Sequence, residues 1–209
     1  MGVFNMKTFT KTTIGYTYNE LSESAKEKVK QWYLDDPIRN DILYEDIMLY
    51  LYDNFKLSEL KVMYSLGYCQ GDGLNIYGNL NLYDFLNIWQ ASPKEKRTIE
   101  FYIDRAFYQY TFKKNNHYCY SCKFLDRKCI VDTIDEFIEE LKNNQIANIK
   151  KPLISQFFND MIDYFETLDA EFEETGYNYL YNCDEEEITE ACEANDWYFT
   201  ERGDFINEI

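Results

Sequence analysis

The chain has 209 residues, of which 45% are hydrophobic and 18% aromatic, and its formal net charge is −17. This aromatic content excludes an intrinsically disordered chain, because disordered segments are poor in the large side chains that build a core. No apolar run approaches the roughly 20 residues that a membrane-spanning helix needs, and the first residues lack the apolar segment of a secretory signal. We therefore expect a cytoplasmic protein whose six cysteines are reduced thiols.

The negative charge is concentrated in the last third of the chain. Residues 132–209 contain 22 acidic and 4 basic side chains, a net of −18, which leaves 16 acidic and 17 basic side chains in residues 1–131. Such an uneven field repels nucleic acid and attracts basic surfaces. We predict one domain overall, in which a near-neutral α+β core, residues 1–131, carries an acidic, mainly helical segment, residues 132–209.

The first elements in chain order are a strand and two helices. Residues 7–18 are rich in Thr, Tyr and Phe, which favours a strand. Ser22 has the residue type of a helix N-cap, and the helix that it begins should end near the Asp36-Pro37 turn. A second helix should turn a set of apolar side chains inward: Leu43, Ile47, Tyr50, Leu51 and Phe55.

A β-hairpin is predicted next. Residues 60–69 and 74–80 are rich in strand-forming side chains, and Gln70-Gly-Asp-Gly73 lies between them. Asp-Gly between two such runs is a strong hairpin signal, because both residues tolerate positive φ. A helical stretch over residues 82–106, broken at Ser92-Pro93, and a β-rich section over residues 107–131 should follow.

The acidic third is predicted to be mostly helical. Its first helix has apolar residues at helical spacing over residues 134–141, and a longer apolar stripe runs from Ile154 to Phe172 and should end at Gly176. Asp184 should begin a further helix through Cys192, and residues 197–205 should close as a short hairpin. The predicted class is α+β, with an antiparallel sheet and packed helices.

Carboxylates lie opposite the long apolar stripe and form the main candidate binding site. At about 100° per residue, four of them fall together on the far side and two flank them. Carboxylates one helical turn apart are on the order of 5–6 Å from each other, which resembles the spacing of phosphates along a nucleic-acid strand. A rigid row of this kind is suited to a basic nucleic-acid-binding groove. The predicted contact residues are Asp160, Asp163, Glu166, Glu171, Glu173 and Glu174, with Glu185, Glu186, Glu187 and Glu190 in support.

The Gln70-Gly-Asp-Gly73 turn has two interpretations. A carboxylate flanked by glycines at a loop tip can ligate a cation or contact a ligand closely. Alternatively, Asp72 bonds to its own backbone and only shapes the turn. We keep Gln70 and Asp72 as a second possible contact with a partner.

One cluster has ligand-like spacing: His117, Cys119, Cys122 and Cys129. These residue types can hold a tetrahedral zinc ion. No second Cys-x-x-Cys accompanies them, and small thiols also pack well in an aromatic, β-rich stretch. We predict buried thiols, no cofactor, no metal and no catalytic residue, and retain a zinc or thiol enzyme centred on residues 117–129 as an alternative.

Two segments resemble a family of uncharacterised proteins carried by tailed phages and prophages. The first pairs Leu21-Ser22, Ala25-Lys26 and Trp32-Tyr33 with the Gln-Gly-Asp-Gly turn, and the second is the acidic C-terminal helix followed by residues 195–203. The resemblance implies a phage origin and the general character of acidic anti-CRISPR and anti-restriction proteins.

The predicted function is therefore an acidic binding protein without enzymatic activity. Its expected partner is a basic host protein, a CRISPR-associated or restriction nuclease, whose nucleic-acid-binding surface it occupies without binding nucleic acid directly. The alternative is an antitoxin-like or regulatory protein that contacts a basic partner through its aromatic surface.

Overall fold

The computed structural model describes residues 12–69, 71–113 and 127–206 of the chain. In the last range, side chains are described only for residues 130–206. The described residues form an α+β fold, as predicted. They divide into two compact units: unit 1 takes residues from 1–39 and 179–209, and unit 2 comprises residues 40–178. The prediction of one domain with parts 1–131 and 132–209 stays a prediction.

Unit 1 is built from short elements around an aromatic core. They are a 3-10 turn, Tyr18–Glu20, and the helices α1, Glu23–Leu34, and α7, Glu185–Ala194. The Trp32 ring lies 4.8 Å from Phe205 and 5.2 Å from Trp197, centroid to centroid. Burying several large rings supplies much of the stability of so small a unit. The core includes Tyr18, Leu21, Ala25, Val29, Cys183, Ile188, Cys192 and Phe199.

Side-chain caps begin the helices of unit 1 where the sequence indicated. The Ser22 hydroxyl accepts the Ala25 N–H, and the Asp184 carboxylate accepts the Glu187 N–H at 2.8 Å. The predicted strand over residues 7–18 is wrong in its described part, because only Tyr16 forms a bridge, to Phe199. Phe199 also bridges Phe205, which closes the predicted C-terminal turn.

Unit 2 contains an antiparallel sheet in the order β1-β2-β3. Its strands are β1, Glu59–Ser65, β2, Gly73–Asn81, and β3, Gln109–Phe112. The hairpin between β1 and β2 confirms the predicted pairing, with Ser65 opposite Gly73, but the first strand ends at Ser65 and not at Cys69 as predicted. Gly78 has φ of +118°, and a Cβ there would lie 2.2 Å from the Glu59 carbonyl oxygen, so only glycine fits this point of the sheet.

Five helices accompany the sheet in the described part of the chain. They are α2, Ile38–Asn54, α3, Leu82–Ile88, α4, Pro93–Ile103, α5, Arg127–Asn143, and α6, Lys151–Tyr181; the first residues of α2 and the last of α6 belong to unit 1. The predicted break at Ser92-Pro93 is confirmed, since Ser92 caps α4 with Pro93 in its first turn. The predicted β-rich section over residues 107–131 is wrong at its end, where α5 begins at Arg127.

Helix α6 is the centre of the unit 2 core. The Phe165 ring lies 4.6 Å from Phe112 of β3 and 5.1 Å from Phe55, which follows α2. The predicted apolar stripe is buried except at its end, where Phe172 is half-buried. The helix does not stop at Gly176, contrary to the prediction. Gly176 is buried, and a Cβ there would lie 2.5 Å from Leu66 Cδ1, so the glycine serves close packing.

Helix α2 buries the predicted face with one exception. Leu43, Ile47, Leu51 and Phe55 are buried, whereas Tyr50 is exposed and its hydroxyl lies 3.5 Å from that of Tyr164.

Among the described residues, no helix combines the length and apolar character that a membrane crossing requires.

Candidate functional site

The predicted carboxylates of α6 lie in unit 2 and differ in exposure. Asp163, Glu171 and Glu174 are exposed, whereas Asp160, Glu166 and Glu173 are half-buried. The helix carries no Lys or Arg from Pro152 to Tyr181. Its inner face is fixed in the aromatic core, so the outer face presents negative side chains on a rigid backbone. We call Asp163, Glu171 and Glu174 the α6 acidic face.

Asp160 has a partner within unit 2. The Trp89 Nε1–H donates to Asp160 Oδ2 at 2.8 Å, and the Trp89 ring packs against Phe157 at a centroid distance of 5.1 Å. A buried indole N–H needs an acceptor. Asp160 therefore satisfies the core tryptophan, and it lies at the edge of the α6 acidic face.

The predicted carboxylates of α7 belong to unit 1, where two of them form ion pairs. Glu185 lies 3.4 Å from Lys26 Nζ, and Glu187 lies 3.0 Å from Arg39 Nη1. Glu186 and Glu190 are exposed. The α7 set is therefore divided between holding unit 1 together and facing solvent.

Glu187 pairs with a buried arginine, Arg39. Its guanidinium is buried, lies 4.7 Å from the Tyr33 ring centroid and 4.3 Å from that of Tyr179, and donates to the Tyr179 carbonyl. The Tyr33 hydroxyl donates to the same Glu187 oxygen that accepts from Arg39. Burial, followed by the Glu187 charge, raises the pKa of Tyr33 to about 12. Glu187 is thus the counter-charge of a buried cation.

Asp72 organises the loop between β1 and β2. Its carboxylate accepts from the Ser65 hydroxyl at 2.9 Å, the Gly67 N–H at 2.6 Å, the Cys69 N–H at 2.7 Å and the Tyr177 hydroxyl at 3.1 Å. These donors, the Cys69 N–H first, lower the pKa of Asp72. The connection is longer than a two-residue turn, because β1 ends at Ser65. Asp72 therefore bonds to its own loop, as the second interpretation predicted, while Gln70 lies outside the described residues.

The cluster predicted to be buried thiols, with a zinc or thiol site as the alternative, falls largely outside the described residues. His117, Cys119 and Cys122 lie in the undescribed range, and the side chain of Cys129 is not described. Within residues 12–69, 71–113 and 130–206, no group of three or more His, Cys, Asp and Glu side chains has the arrangement of a metal site. Cys69, Cys183 and Cys192 are free thiols.

One buried carboxylate on α6, Asp169, was not among the predicted site residues. Asp169 is buried against β2, where its Oδ1 accepts the Ile76 N–H at 3.1 Å, and its Oδ2 has no hydrogen-bond partner among the described residues. Burial, with a smaller contribution from Glu173, raises the pKa of Asp169 to about 8. The signal was its position four residues after Phe165, on the apolar stripe.

Comparison with known proteins gives no relative. No protein-family model matches the chain, and neither a curated protein nor a solved structure matches it. The function is therefore inferred from the residues and their geometry.

Proposed function

We propose that the chain is a binding protein that docks onto a cationic surface of another protein and blocks it. The proposed target is the nucleic-acid-binding groove of a CRISPR-associated or restriction nuclease. The observation that carries this proposal is the α6 acidic face, because three exposed carboxylates lie on a helix with no basic residue from Pro152 to Tyr181.

The geometry of α6 supports a charged row that changes little on binding. Asp163 and Glu174 are eleven residues apart, which corresponds to about 16 Å along a helix axis. Phe165 and Phe158 anchor the same helix in the core of unit 2, where Phe158 packs against Phe137 at 5.3 Å. Rows held by a packed helix lose little conformational entropy on docking. Charge complementarity with the partner's groove speeds association and makes it depend on salt.

A displacement assay tests the proposal. Purified cationic nucleases of the CRISPR-associated and restriction classes are bound to fluorescently labelled DNA, and the chain is titrated into each complex. For a true target, the fluorescence anisotropy of the labelled DNA should fall as the chain is added, and the fall should be complete at a fixed ratio of chain to nuclease. If an excess of the chain leaves DNA bound to every nuclease of both classes, the nuclease assignment is wrong.

A second candidate function rests on the exposed side of α2. Ile42, Leu49 and Tyr52 are 40%, 59% and 71% exposed and share one helical stripe at spacings of seven and three residues. Exposed carboxylates surround this stripe, and residues 40–54 contain no Lys or Arg. Such a face fits an apolar helix with basic flanks, as in a regulatory or antitoxin-like complex.

A charge-conserving variant separates the two candidates. Leu49→Gln with Tyr52→Gln removes the apolar stripe of α2 and leaves the α6 acidic face unchanged. If the α6 proposal is right, this variant displaces DNA from the nuclease as well as the wild type does. A complete loss of displacement would favour the α2 surface.

A further inference from the structure

One cleft in unit 2 is lined by positive charge, although the chain as a whole is acidic. It lies along α4, has a volume of about 810 Å³ and is lined by three basic side chains, Lys94, Arg97 and Lys150, and by no acidic one. This is unusual in a chain of net charge −17. A cleft of this size is within the range of small-molecule sites, about 300–1,000 Å³.

Helix α4 brings the first two cations together. Lys94, Arg97 and Phe101 are spaced by three and four residues, so they share one face of the helix, with neighbouring Cβ atoms about 5–6 Å apart. In the part of the chain that the structure describes, Lys94, Arg97 and Lys150 form no ion pair with a carboxylate. Their positive charges are therefore available to an anionic ligand.

Glu95 follows Lys94 in the sequence, but its carboxylate caps α4. Glu95 accepts from the backbone N–H of Ser92 at 2.9 Å and from its hydroxyl at 2.5 Å, which completes the capping box of α4. These bonds, with a smaller contribution from Lys150, lower the pKa of Glu95. Glu95 thus caps the helix and is not among the residues that line the cleft.

A buried tyrosine, Tyr102, holds the backbone at Lys150. The Tyr102 hydroxyl accepts the Lys150 backbone N–H at 3.1 Å and donates to the Asn148 carbonyl at 3.5 Å. Residues 148–150 are therefore fixed against α4 before any ligand arrives. A preformed site of this kind costs less ordering entropy on binding.

The remaining wall of the cleft is apolar. Pro93, Ala147 and Phe101 contribute to it, and the Phe101 ring is 41% exposed. The Arg105 guanidinium lies 3.7 Å from the Phe101 ring centroid and so orients the ring. Inorganic phosphate alone has no use for such a wall, whereas a ligand with a flat ring does.

We propose that this cleft binds a nucleoside polyphosphate, with its phosphates between Lys94, Arg97 and Lys150 and its base against Phe101. Lys and Arg supply the charge-assisted hydrogen bonds that phosphate oxygens accept. The proposal concerns a free nucleotide and is independent of the function proposed for the α6 acidic face.

Calorimetric titration of the whole chain at physiological salt tests the proposal with adenosine triphosphate, inorganic tripolyphosphate and adenosine. We expect saturable binding of the nucleotide, weaker binding of tripolyphosphate and the weakest binding of adenosine. Arg97→Gln with Lys150→Gln should weaken nucleotide binding by about tenfold or more. The reason is that the loss of one charge-assisted hydrogen bond lowers affinity by about tenfold.

Two further variants sharpen the result. Lys56→Gln with Lys61→Gln removes the same charge from exposed residues of unit 2 outside the cleft and should leave nucleotide affinity unchanged. Phe101→Ala should weaken the nucleotide more than tripolyphosphate. The proposal is overturned if the nucleotide does not bind in the millimolar range, if both charge variants weaken it equally, or if tripolyphosphate binds as tightly as the nucleotide.

Discussion

The acidic residues of α7 and of α6 have the same chemistry but different surroundings. In unit 1, Glu185 and Glu187 of α7 lie within 3.4 Å and 3.0 Å of basic side chains. In unit 2, the α6 acidic face lies on a helix with no basic residue after Lys151. Acidic residues therefore have two roles in this chain. In α7, two of them form ion pairs within unit 1, and on α6 the carboxylates of the α6 acidic face are exposed.

The largest expected effect of this difference concerns Glu187. Glu187→Gln should destabilise unit 1 by about 1–2 kcal/mol, because it leaves the buried Arg39 without its counter-charge, while solvent at the 39% exposed Glu187 side chain screens part of the loss. The matched control is Glu186→Gln on the same helical turn, which should change the free energy of unfolding by less than about 0.5 kcal/mol. Urea denaturation followed by tryptophan fluorescence measures both. Equal effects of the two variants would contradict the assigned role of Glu187.

A separate, pH-dependent effect concerns the buried carboxyl of Asp169. Its pKa of about 8 in the fold lies above that of an unfolded Asp, so the folded state holds a proton that the unfolded state releases. The wild type should therefore lose stability as the pH rises from about 4 to about 8. Asp169→Asn removes this loss and keeps an acceptor for the Ile76 N–H. We expect the variant to have the higher Tm at pH 8.

The same Asp169 variant at low pH is its own control. Below about pH 4 the carboxyl is protonated in both states, so the wild type and Asp169→Asn should have nearly the same Tm. Thermal unfolding at a series of pH values gives the comparison. A Tm difference that does not change between acidic and alkaline pH would show that Asp169 does not titrate as its burial predicts.

A smaller effect is expected at Asp72. Its lowered pKa means that the stability it contributes is present at neutral pH and is lost as the pH falls through that pKa. Asp72→Asn should lower the Tm at neutral pH, since an amide cannot accept all four donors. Ser65→Ala removes one donor and should lower the Tm less. If the two variants are equally stable, the carboxylate does not organise the loop.

Features that depend on neighbouring residues were predictable from the sequence. The caps at Ser22 and Asp184 and the break at Ser92-Pro93 are local hydrogen-bonding and backbone effects, and the structure confirms them. The inner faces of α5 and α6 follow from helical periodicity alone. The α+β class follows from combining these local signals.

Features that depend on residues distant in sequence were not predictable. Glycine generally disfavours a helix, but α6 continues through Gly176. Leu66 packs where a side chain at this position would lie, so the packing requires a glycine there. The pairing of Glu187 with Arg39 joins residues 148 positions apart, and no periodicity reports it. The position of Asp169 on the apolar stripe indicates its burial, but its hydrogen-bond donor, the Ile76 N–H, is 93 residues away, and periodicity does not report it.

The role of the α6 acidic face is tested most directly by the association rate of the chain with a target nuclease from the displacement assay. The change is Asp163→Asn with Glu171→Gln and Glu174→Gln, and the matched control is Asp135→Asn with Glu136→Gln and Glu139→Gln, which removes the same charge from exposed residues of α5. Stopped-flow measurements over a series of salt concentrations should show association of the α6 variant slowed by about tenfold or more at low salt, with a flatter salt dependence. The α5 variant should remain close to the wild type. Equal slowing by both variants would show that net charge acts without the α6 acidic face, and would contradict the account.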